Sequence, residues 1–139
     1  MRAAYAATDY RVLDGGRWLS ARLGRSAPEI ERLLTRLGAA SGSFVTAWNP
    51  RSEPTADAAN AAAAARLTAE IHARGWRALP HRGVGDDKDW PAEEGWFVLD
   101  LNAATAEALA ETYGQNAVVR IERGGPAALI ETHWLAPDA

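Results

Sequence analysis

Cysteine is missing from all 139 residues, which excludes disulfides, thiolate nucleophiles, cysteine-ligated zinc and iron–sulfur clusters together. Lysine is nearly missing too: Lys88 stands alone and every other basic residue is Arg. With heavy alanine use, that bias reflects a GC-rich genome more than any chemistry. A basic excess is also lacking. The net charge is −3 and the pI about 5.6, which argues against a nucleic-acid binder, since such proteins carry cations to neutralise phosphates. No apolar run approaches the ~18 residues of a membrane span, and the first residues lack the apolar core of a signal peptide. A cytoplasmic protein is the expectation, with neither membrane nor nucleic acid as partner. Large apolar residues are fewer than the 47% hydrophobic content suggests, because Ala supplies 31 positions. That leaves enough for one core, hence a single domain over 1–139.

What is present reads as alternating strands and helices. Residues 3–13 look like a strand on β propensity, turned back at Asp14-Gly15-Gly16 into a return over 18–23. Ser26 and Glu29 have capping-box spacing. Ile30, Leu33, Leu34 and Leu37 follow on one helical face, and Gly38 supplies the stop. A strand over 43–48 carries apolar side chains on both parities, as a strand covered on both faces does. It ends at Asn49-Pro50. Ser52, Glu53 and Pro54 open a helix to about Arg74 that contains Ala61–Ala65. Residues 76–80 form a short strand, completing a strand–helix–strand unit with parallel strands. A long acidic loop covers 81–94. Then come a buried strand over 95–101, a helix over 103–113 capped by Asn102, a hairpin of 117–122 with 127–133, and a frayed tail over 135–139. The expected class is α/β or α+β, one mixed sheet of about six strands with three helices.

Chemistry is sought at strand ends, where sheets with crossover helices bind ligands. Asn60, Ala64, Leu67 and Ile71 fall within a ~60° arc of their helix, so Asn60 faces the sheet, level with Asn49. A buried carboxamide needs partners or costs about 1–3 kcal/mol. Asn60 therefore either ties down the Asn49-Pro50 loop through its backbone or meets a ligand. Gln115-Asn116 lies between a helix stop and a strand, open to the same two readings. Carboxamides read donor–acceptor patterns but are poor acids, bases and nucleophiles. Thr46 and Arg51 flank Asn49, and Arg51 with Arg82 forms a candidate anion site. His81, at a strand end, is the one general-base candidate, with Glu93 its companion acid or metal ligand. The acidic loop sets Asp86, Asp87, Asp89, Glu93 and Glu94 against Lys88, a net −4 over 86–94, and its spacing does not follow that of a calcium loop. Its Trp90-Pro91 either folds back as a lid or covers a sheet edge. Gly83-Val84-Gly85 lacks a third glycine and a following helix, so no phosphate loop is expected, and no G-x-S-x-G elbow exists. Trp48 and Trp96 read as core. Trp18 and Trp134, near segment ends, are candidates for a dimer contact.

The run Phe44-Val45-Thr46-Ala47-Trp48-Asn49-Pro50, then Asn60, then Gly114-Gln115-Asn116-Ala117, resembles a bacterial family catalogued as domain-of-unknown-function family 3293. The Pro80–Gly85 turn and Glu93 also match, and the likeness covers roughly 3–132. It departs after Glu93, where Glu94-Gly95 stands in place of a Pro-Ser or Glu-Ser pair. The resemblance implies a single domain of bacterial origin and carries no activity.

The leading expectation is a carboxamide-lined crevice at Thr46, Asn49, Arg51, Asn60, Gln115 and Asn116, binding a small polar or anionic molecule or a peptide segment. One alternative is a hydrolase or transferase using His81 and Glu93, with or without a metal. Another is a dimeric interaction module. No cofactor and no resident metal are expected.

Overall fold

A computed structural model describes residues 2–135. The expected tail therefore lies outside the described residues except for Leu135, which is buried rather than frayed. Seven strands make one sheet: β1 (Thr8–Asp14), β2 (Arg17–Ala21), β3 (Ser41–Thr46), β4 (Ala78–Gly85), β5 (Glu93–Leu99), β6 (Ala117–Glu122) and β7 (Ala128–Glu131). Their order is β2-β1-β4-β5-β3-β6-β7. The helices are α1 (Arg2–Ala6), α2 (Pro28–Arg36), α3 (Asp57–Ala73) and α4 (Ala103–Thr112). This is the expected mixed α/β single domain, with one more helix and one more strand. No helix among the described residues is long and apolar enough to cross a membrane.

Neighbouring strands all pair antiparallel. The unit over 43–80 needs correcting accordingly. β3 and β4 do run in the same direction, but β5 lies between them, because β4 and β5 are joined by a short connection that makes an antiparallel pair. The sheet curls. Leu23, just past β2, bridges Ala127, just before β7, and the Gly24 N–H donates to the Ala127 carbonyl at 2.9 Å. Inside the curl lies one core, built from α2 (Ile30, Leu33, Leu34) against Tyr10, Val12, Phe44, Phe97 and Val119. On the outer face α3 and α4 pack Leu67, Ile71, Ala106 and Leu109 against Val45, Val98 and Val118. Phe44 and Val45 of β3 thus serve opposite cores, as a strand buried on both faces requires.

Four local expectations change. Residues 2–6 are helical, not extended: an Arg-Ala-Ala-Tyr-Ala run has high helix propensity, and the turn ends where Thr8 Oγ1 donates to the Ala4 carbonyl at 2.7 Å. Ser26 does not cap α2. The cap position is Ala27, without a side-chain hydrogen bond, and Glu29 pairs instead with Arg17. α3 begins at Asp57, because Pro50–Ser52 forms a separate 3₁₀ turn. β4 runs on to Gly85, so the loop shrinks to 86–92 and His81 lies inside a strand. Pro80 is tolerated in β4 because the β1 ladder stops at the Val12–His81 pair, leaving no bond on that side for its missing N–H.

Candidate functional site

The site begins in the turn after β3. Asn49, Arg51 and Ser52 have φ of 47°, 57° and 60°. Left-handed backbone at non-glycine residues costs on the order of 1 kcal/mol or more each and survives only where the surroundings over-determine it. Three carboxamides do so here. Asn60 Oδ1 accepts the Asn49 N–H at 2.9 Å, while Asn60 Nδ2 donates to Asn49 Oδ1 at 3.1 Å and to the Thr55 carbonyl at 3.3 Å. Gln115 Nε2 donates to the Trp48 carbonyl at 3.0 Å, and Asn116 Nδ2 to Ser52 Oγ at 3.1 Å. The Arg51 N–H closes on the Gly114 carbonyl at 2.7 Å. The Thr55 N–H supplies Asn49 Oδ1 with its second donor at 3.0 Å.

Asn49 has one amide group left, and it points at Glu93. Asn49 Nδ2 and Trp90 Nε1 each donate to Glu93 Oε2 at 3.1 Å. Burial raises the Glu93 pKa above the ordinary carboxylate value, and the two donors oppose that shift. Trp90, in the 86–92 loop, thus turns towards Glu93 and lines the same cavity.

Glu93 lines a cavity of about 470 Å³ inside the curl, beside the core that α2 fills. Tyr5 from α1, Tyr10 from β1 and Phe44 from β3 form aromatic wall. Burial pushes the Tyr5 hydroxyl up to about 12 despite the opposing effect of the nearby Ser52 hydroxyl, and raises Tyr10 as well. His81 reaches the same cavity. It is 4% exposed, with Tyr10 stacked on one side and Phe44 tilted against it. Its Nδ1 lies 2.9 Å from the Arg11 carbonyl. A carbonyl only accepts, so Nδ1 carries the proton. Burial lowers the pKa to about 4, so the ring is neutral at pH 7 and Nε2 is an acceptor.

Five of the expected residues meet in this cavity: Thr46, Asn49, His81, Glu93 and Gln115. Three stand outside its lining. Asn60 is behind Asn49, and Asn116 is behind Ser52. Arg51 is exposed, its guanidinium 4.1 Å from the Trp134 ring centre. Arg82 covers Trp18 and pairs with Glu94, so the two arginines form no joint anion site. Of the other histidines, His72 is exposed on α3 and His133 sits against Glu111. Trp48 and Trp96 are half-buried rather than fully in the core. Among the described residues no group of three or more His, Asp or Glu is placed to hold a metal. Sequence reasoning missed Tyr5, Tyr10 and Ser52. Only Tyr10 left a signal, since it shares strand parity with the inward Val12.

Residues 45–118 match the model of a family described as Protein of unknown function (DUF3293). The match is shorter than the 3–132 expected from resemblance. It contains Asn49, Asn60, His81, Glu93, Gln115 and Asn116, but neither Tyr5 nor Tyr10. No curated protein and no solved structure matches the chain.

Proposed function

The chain belongs to the DUF3293 family of proteins of unknown function, and from the cavity at Glu93 we propose that it binds a small molecule there. One observation carries this reading. Glu93 is held inside the cavity by two donors on a single oxygen, and its Oε1 has no protein partner among the described residues. Glu93 is partly buried, and a carboxylate that gives up hydration without a partner in exchange is destabilised. Such a group in a concave, mainly apolar space of this volume marks a binding site. Asn60 and Asn116 then act as scaffold for the wall rather than as ligand contacts. We take the setting to be the bacterial cytosol.

The alternative, acid–base chemistry by His81 and Glu93 in a hydrolase or transferase, draws support from their shared cavity. It is the weaker reading, because a histidine with a pKa of about 4 is a poor base at neutral pH. The dimer reading has less support still: Trp18 is 37% exposed, and it and Trp134 are covered by different arginines.

A thermal-shift screen of metabolites tests the binding reading. A ligand at ~100 times its Kd adds about 2.7 kcal/mol, or roughly 5 °C or more for a domain of this size. Tyr5→Ala, in the wall, should abolish that shift. Asn60→Ala, behind it, should lower the unliganded Tm by several degrees through the orphaned Asn49 N–H. A screen in which nothing stabilises the wild type, while Asn60→Ala unfolds as described, reduces the carboxamides to scaffold for an empty space.

A further inference from the structure

We infer that the occupant is an organic cation, a primary ammonium or guanidinium group carried on an apolar or aromatic body. The inference rests on the binding reading above and names its ligand class.

Acceptors outnumber free donors around the cavity. Three acceptors facing it have no protein donor among the described residues. The first is Glu93 Oε1, since Asn49 and Trp90 both use Oε2. The second is His81 Nε2, since Nδ1 must donate to the Arg11 carbonyl. The third is Gln115 Oε1. Its amide orientation is fixed because Nε2 lies against two carbonyls, those of Trp48 at 3.0 Å and Tyr113 at 3.3 Å, which only a donor can satisfy.

Most lining donors are already engaged. Trp90 Nε1 and Asn49 Nδ2 serve Glu93. The Tyr10 hydroxyl donates to the Tyr5 carbonyl at 3.2 Å and Thr46 Oγ1 donates to the Glu94 carbonyl at 2.8 Å, while the Tyr5 hydroxyl lies beside Ser52. An occupant must therefore bring several N–H groups. An anion would bring further acceptors to a wall that already has too many.

Charge points the same way. The cavity is lined by Glu93, Asp86 and Asp87 and by no Lys or Arg. Arg22 pairs with Asp86 at 2.9 Å from outside the lining. The rings of Tyr5, Tyr10, Phe44 and Trp90 supply the π faces that attract cations. A quaternary ammonium would satisfy the rings and the charge but leave the three acceptors bare, so a donor-bearing cation fits better.

Three probes of matched shape separate the cases in isothermal titration calorimetry: 2-phenylethylamine, 2-phenylethanol and 3-phenylpropionate. The amine is expected to bind at least tenfold tighter than either of the others. Glu93→Gln keeps an oxygen for Asn49 and Trp90 but turns the free acceptor into a donor. Provided its circular dichroism and Tm match the wild type, it should weaken the amine at least tenfold and favour the carboxylate. If that variant does not fold, Asp87→Asn, which removes an exposed carboxylate from the lining and keeps the oxygen that accepts the Asp89 N–H, should weaken the amine and not the alcohol. Equal or tighter binding of 3-phenylpropionate to the wild type overturns the cation assignment while leaving the cavity a binding site. If none of the three binds at millimolar concentration but a neutral or anionic metabolite gives a thermal shift, the ligand class is again overturned. If nothing binds at all, the binding reading fails with it.

Discussion

His81 and Glu93 are both shifted by burial, but in opposite senses for stability. For His81 the folded value, about 4, is below the ordinary 6.5. Between those values the unfolded chain takes up a proton that the folded chain refuses, so stability falls as pH drops from 6.5 towards 4. At 1.36 kcal/mol per unit, the loss by pH 4.5 is about 2–3 kcal/mol. Glu93 has a raised folded value, so the folded chain holds its proton longer, and stability falls as pH rises above the ordinary carboxylate value. The two slopes oppose each other, and only a variant separates them. Urea unfolding of His81→Gln should lose about 2–3 kcal/mol less than the wild type on going from pH 7 to 4.5. Identical losses would mean that His81 is not held neutral. Both residues were legible as chemistry-bearing types. Their environment was not, because it depends on which strands flank β4.

At the scale of elements, β3 and β5 approach so closely that side chains are excluded at two points. A Cβ on Gly95 would lie 2.0 Å from the Val45 carbonyl oxygen, and one on Gly42 would lie 2.0 Å from the Phe97 ring. This accounts for glycine at both positions. Gly95→Ala is expected to cost about 2 kcal/mol or more, whereas Gly85→Ala, whose Cβ meets nothing nearer than the Asp87 N–H at 3.9 Å, should cost little. Equal denaturant midpoints for the two variants would contradict the close β3–β5 contact. Elements with strong periodicity were readable in advance: the apolar stripe of α2, the two-sided burial of β3, and α4 with Asn102 accepting the Thr105 N–H at 2.8 Å. Those governed by tertiary context were not. Pro80, Gly83 and Gly85 disguise β4 as a loop, and the acidic Ser52-Glu53-Pro54 stretch imitates a helix start that the clamped turn pre-empts.

For the whole molecule, the curl of the sheet decides the site. It gathers Tyr5 and Tyr10, Asn49, His81 and Glu93, and Gln115 around one space, although these positions span most of the chain. The pairing of Asn49 with Asn60 could be read from helical phase, because both lie in one local unit. Tyr5 reaches the cavity only through α1, which the ion pair of Arg2 with Glu131 at 2.6 Å links to β7, and no local pattern encodes that closure. A nitrogen–proton correlation spectrum titrated with 2-phenylethylamine reads out the occupancy of this cavity residue by residue. The Trp90 indole N–H and the side-chain amides of Asn49 and Gln115 should shift together and saturably, with the Trp18 and Trp96 indoles unmoved. Saturable shifts at Trp18 and Trp96, with Trp90 and the two amides unmoved, would put binding in a second groove, lined by Trp18, Leu67, Pro80 and Trp96, and contradict a ligand at Glu93.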